Sequence, residues 1–163
     1  MHTNSIVKPA PTAFKSTLKV PVPDLEGFVF SGDFLETLAK EGMIITCYDS
    51  LRLRFFGQKQ QQFRQREIRV REARSFAADI AVIRELGDEM TGLLNPFFYL
   101  IRQQGRGEPG PLHTNGLSNT IYARDVDSNL CGIFAVWNKR WLFGAYPAEG
   151  NSMLGQETLI LST

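Results

Sequence analysis

The chain has 163 residues, 43% of them hydrophobic, which is enough to bury the core of one domain. With 18 basic and 17 acidic side chains its formal charge is +1, which excludes a global field drawing it to nucleic acid or an anionic membrane; electrostatic arguments must be local. The two cysteines, Cys47 and Cys131, belong to no C-x-x-C pattern and predict buried thiols in a reducing, cytoplasmic setting, with a single disulfide as the alternative.

Residues 1–24 are polar and punctuated by Pro9, Pro11, Pro21 and Pro23, each of which removes a backbone donor and discourages helix. They predict an extended or flexible N-terminal arm ahead of a single globular domain over 25–163; an edge strand over 17–22 is the alternative. Residues 1–10 lack the basic-then-apolar pattern of a secretory signal. Apolar runs such as 96–101 are too short to span a bilayer, so no membrane association is expected.

Residues 31–42 predict a short N-terminal helix. Asp33 and Glu36 have capping-box spacing, Gly42 supplies a left-handed end, and Phe34, Leu35 and Leu38 share a face. A buried strand is expected over 43–48. Over 51–56, Leu51, Leu53 and Phe55 alternate with Arg52 and Arg54, which predicts a half-buried strand.

From Gln58 onward the composition favours helix, and Ala73, Phe76, Ala77, Ile80 and Ile83 recur at helical spacing. The reading adopted is a long amphipathic helix from about Arg66 to Leu86. A competing reading has Ile68 and Val70 alternating with Glu67, Arg69 and Arg71 in a hairpin through 57–62. Gly92 and Pro96 then break the chain, 97–102 predicts an apolar strand, and 105–111 is a glycine- and proline-rich loop leading past His113.

Three runs rich in β-branched and aromatic residues follow, at 118–125, 131–137 and 140–146, and predict three antiparallel strands. A two-residue loop at Asn138 and Lys139 would pair Trp137 with Arg140 and Phe134 with Phe143. Phe134, Val136, Trp141, Phe143 and Ala145 would then form a core face, with Ile133, Ala135, Trp137, Arg140, Leu142 and Tyr146 opposite. Lys is a poor second residue for such a turn, which leaves a longer loop open. Residues 158–161 predict a last strand at an edge. The fold class is α+β: an antiparallel sheet from the C-terminal half, packed against the long helix.

No phosphate-binding G-x-x-x-x-G-K, G-x-S-x-G turn or histidine pair at metal-ligand spacing is present, so no cofactor and no metal is expected. Asp125, Asp127 and Asn129 open like a calcium loop, but Leu130 and Val136 occupy positions that need glycine and glutamate, and a hairpin turn explains them better.

Between 52 and 74, eight basic side chains face only Glu67 and Glu72. On a helix, Arg64, Arg71 and Arg74 would form one ridge suited to phosphates, or else a solvated face with Glu67 pairing Arg71. Trp137 and Tyr146 beside Arg140, with Tyr122 and Arg124 on the neighbouring strand, have the stacking-plus-cation character of sites for unpaired bases. These features predict a non-enzymatic protein that binds single-stranded nucleic acid, with a protein partner on the same surface as the alternative. A second alternative is a metal-independent ribonuclease, in which His113, Arg124 and Arg140 would share proton transfer and charge stabilisation. The oligomeric state has no signature in the sequence.

Overall fold

The computed structural model describes residues 12–74, 77–148, 154–155 and 157–163. In chain order the elements are β1 (Phe14–Pro21), β2 (Phe28–Val29), α1 (Gly32–Lys40), β3 (Ile45–Cys47), α2 (Asp49–Phe55), β4 (Lys59–Gln60) and β5 (Glu67–Ala73). They continue with α3 (Asp79–Leu86), α4 (Leu94–Gln103), β6 (Ser118–Arg124), β7 (Leu130–Trp137), β8 (Trp141–Pro147) and β9 (Leu159–Ser162). Seven strands make one sheet in the order β1-β5-β9-β6-β7-β8-β3, and β2 pairs separately with β4. The large sheet is mostly antiparallel; β6 with β9 and β3 with β8 are its parallel pairs. No helix among the described residues is long and apolar enough to cross a membrane.

Helices lie on both faces. Leu35 and Leu38 of α1, Leu51 and Phe55 of α2 and Phe97, Phe98 and Ile101 of α4 pack with Val70, Ile121, Ile133, Ala135, Trp141 and Phe143 on the first face. Val82 and Leu86 of α3 pack with Phe14, Ala73, Tyr122 and Ile160 on the second. On that second face the described residues border a cleft.

The expected long helix does not form. Residues 67–73 are a strand held on both sides, by β1 and by β9, and the helix begins at Asp79. Propensity for helix is a weak local bias, whereas the alternation of Ile68 and Val70 lets β5 bury one face and complete two ladders. Arg66, at φ 62°, adopts the left-handed region just before β5, where the chain runs on alongside residues 22–25 instead of making a helical turn. Phe76 lies outside the described residues.

Two expected strands are helices. In α2, Leu51 and Phe55 share the buried side at i and i+4 while Leu53 is 81% exposed, so what reads as alternation is one turn of helix. In α4, Pro96 sits in the first turn, where its missing N–H costs no bond, and the apolar run behind it is buried nearly all round. In α1 the cap is Ser31, whose hydroxyl accepts from the Phe34 N–H at 3.3 Å, two residues ahead of the expected Asp33.

The arm is a strand from Phe14 to Pro21: β1 forms the sheet edge beside β5. Residues 1–11 lie outside the described residues. The last strand is interior instead of an edge, since β9 runs between β5 and β6 and every one of its residues is buried.

The β7–β8 hairpin has the expected strands in a different register. Its loop has three residues, with Lys139 at φ 57°, so Trp137 faces Trp141 and Phe134 faces Gly144. A slip of one residue sends every side chain of a strand to the other face. Ile133, Ala135 and Trp137 therefore join Trp141 and Phe143 on the first face, while Phe134 joins Tyr146 on the second.

Candidate functional site

On the second face of the β7–β8 hairpin, Gly132 lies opposite Tyr146 and Gly144 lies opposite Phe134. A Cβ at either glycine would overlap the facing ring. Each aromatic side chain thus lies across the sheet in the space that its glycine partner leaves, and glycine inside a strand has its use here. Phe134 and Tyr146 are both half-buried, so the platform they make is partly open.

Above it stands Asp79, the first residue of α3, only 1% exposed. The helix N-terminus favours a negative charge at this position. The hydroxyls of Tyr122 and Tyr146 both donate to Asp79 Oδ1, the latter at 3.0 Å. Among the described residues Asp79 Oδ2 finds no hydrogen-bond partner. Both phenols are held above the ordinary tyrosine range, mainly by burial and then by the charged neighbours around them. They stay protonated and keep donating.

Asp79 borders a cleft of about 470 Å³ together with Ser118, Thr120, Phe134, Tyr146 and Thr158, and among the described residues it is the one charged side chain that lines it. Ser118 Oγ and Thr120 Oγ1 are 3.2 Å apart and share one hydrogen. The Thr158 hydroxyl donates to the Gly155 carbonyl at 3.1 Å. An aromatic floor, a few hydroxyls and an unsatisfied carboxylate oxygen together suit a ligand that brings a hydrogen-bond donor.

The residues singled out from the sequence are divided among several places. Arg64 pairs with Glu26 at 2.7 Å in the loop before β5. Arg71 pairs with Glu89, donates to Ser162 Oγ at 2.9 Å and lies 5.2 Å from the Phe14 ring centre. Arg74 Nε donates to the Thr12 carbonyl at 2.9 Å. The expected arginine ridge is not formed, because its helix is a strand and each arginine serves a different contact.

Trp137 is on the first face, edge-on to Trp141 with ring centres 5.6 Å apart, while Tyr122 and Tyr146 are on the second. The single aromatic surface expected around Arg140 is therefore split by the sheet. Arg140 is exposed in the β7–β8 turn, and Arg124, near the opposite end of β7, donates to the Ser128 carbonyl at 2.8 Å. The length of β7 separates them, about 23 Å for its eight residues at ~3.3 Å per step. His113 Nε2 meets the Glu157 carbonyl at 2.8 Å, so the three residues of the ribonuclease alternative are not brought within reach of one another.

Arg64, Tyr122 and Arg124 do share the border of a second cleft, of about 450 Å³, with Lys59 and the glutamines at 58 and 60–62. Several of its polar groups are engaged: Gln58 donates to the Arg124 carbonyl at 2.9 Å, and Gln62 donates to Glu26 at 3.0 Å. At the β6–β7 turn, Asp125 Oδ1 accepts from the Asp127 and Asn129 N–H groups, and Oδ2 accepts from Arg54 at 3.0 Å, which is the geometry of a hairpin turn. Cys47 and Cys131 are free thiols, Cys131 buried and Cys47 half-buried.

Sequence reasoning missed Asp79, Ser118, Thr120 and Thr158 and placed Phe134 in the core. A signal existed in Gly132 and Gly144, since glycine within an otherwise apolar strand points to a close approach. Another was the acidic residue opening the 79–86 helical pattern, hidden by the assumption that the helix ran through it. No protein-family model matches this chain, and no curated protein or solved structure matches it at a significant level.

Proposed function

We propose that this chain is a binding protein whose ligand seat is the cleft between the Phe134–Tyr146 platform and Asp79, and that it takes a small molecule carrying an N–H or O–H donor. The observation that carries this reading is Asp79 Oδ2, buried and without a partner among the described residues. A buried polar atom left unpaired costs about 1–3 kcal/mol, more when charged, so a donor delivered there recovers much of that cost on binding. The cleft volume lies within the ~300–1,000 Å³ typical of small-molecule sites. The two free thiols fit a reducing, cytoplasmic setting.

Nucleic acid is a second reading, favoured by Arg64, Tyr122 and Arg124 around the other cleft. The Asp79 cleft is a poor seat for it, because the Asp79 carboxylate that lines it repels phosphate.

Amide chemical-shift mapping of the labelled full chain tests both. A fragment set of neutral, anionic and cationic compounds is expected to shift Thr120, Phe134 and Tyr146, with the shifts lost in Asp79→Asn; if no fragment moves them, the cleft is not a ligand seat. An oligonucleotide that moves Arg64 and Arg124 instead, with steep weakening as salt rises, would favour the second reading.

A further inference from the structure

We infer that the ligand of the Asp79 cleft is a small organic cation with a primary ammonium head and a short aromatic or apolar body. This rests on the cleft being the ligand seat. Among the described residues that line the cleft the one charge is that of Asp79, and none is lysine or arginine. None of these described residues neutralises an anion, and the positive end of the α3 dipole is already met by the carboxylate.

An ammonium answers each lining group in its own terms. One of its three hydrogens satisfies Oδ2 in a charge-assisted bond, stronger than a neutral donor would make. The others find the lone pairs that remain on Ser118 and Thr120, because those hydroxyls use only one hydrogen between them. The faces of Phe134 and Tyr146, flattened over Gly144 and Gly132, attract a cation and accept an apolar body. A quaternary ammonium keeps the attraction to the rings but brings no hydrogen to Oδ2, and a neutral alcohol brings the hydrogen but not the charge. These two differences separate the head groups.

The experiment titrates the full chain with phenethylamine, its N,N,N-trimethyl counterpart, phenethyl alcohol and 3-phenylpropionate at fixed pH and salt, following the amides of Thr120, Gly132 and Gly144. Phenethylamine is expected to bind at least tenfold tighter than the alcohol or the quaternary ion, with no binding of the propionate. Asp79→Asn should weaken the amine at least tenfold and the alcohol by a smaller factor; Phe134→Leu, which keeps the carboxylate, should also weaken the amine and serves if Asp79→Asn does not fold. Equal or tighter binding of the alcohol or the propionate in the cleft would overturn the cation while leaving the ligand seat intact. Failure of all four probes, with the wider fragment set also silent, would remove both.

Discussion

Tyr122 and Tyr146 donate to the same oxygen of Asp79 from unequal surroundings. Tyr122 is fully buried and its hydroxyl has no route to water, whereas Tyr146 is half-buried beside the cleft. Tyr122→Phe therefore removes a hydrogen bond that solvent cannot replace and is expected to cost about 1–3 kcal/mol in urea unfolding, while Tyr146→Phe costs less. The reverse order would mean that Tyr146 alone holds the carboxylate. At this scale little was legible beforehand: Asp79, mid-helix in the expected structure, gains its role only when Tyr122 and Tyr146 arrive from other strands.

The α2 segment shows how an element can be misread while its residues are read correctly. Leu51, Leu53 and Phe55 are apolar and alternate with arginines, yet seven residues are too few to separate about three strand periods from two helical turns. The two readings make different predictions for neighbouring leucines. In the helix, Leu51→Ala should cost about 2–5 kcal/mol for lost contacts and a cavity, and Leu53→Ala should stay within ~0.5 kcal/mol because its side chain is solvated. Comparable losses at both positions, measured by thermal or chemical unfolding, would return α2 to a half-buried strand. The apolar run of α4 carried the same ambiguity, resolved by helix packing against the first face of the sheet.

For the molecule as a whole, the buried phenols link stability to alkaline pH. In the unfolded chain Tyr122 and Tyr146 ionise near the ordinary value of 10.0, and in the folded protein burial holds both above it. Their contribution is complete below pH 10; as pH rises further the unfolded chain loses protons that the folded one keeps, and stability falls. Of the four tyrosines, two are expected to show no phenolate absorbance until the protein unfolds, with the melting temperature declining above pH 10. A simple four-tyrosine titration of the folded protein near pH 10 would contradict the buried pair.

What the sequence by itself determined was the mixture of α and β and the three strands over 118–146, because β-branched and aromatic runs between turn residues are local signals. The state of 67–73, the interior place of β9 and the β7–β8 register were decided by pairing between residues far apart in the chain. Local pattern can announce a strand, but not its neighbours, and a one-residue difference in a turn exchanges the faces. The Asp79 cleft is the clearest case. It needs α3 to begin at residue 79, β6 to present Tyr122, and a three-residue turn to lay Tyr146 and Phe134 over their glycines, and only the tertiary structure combines them.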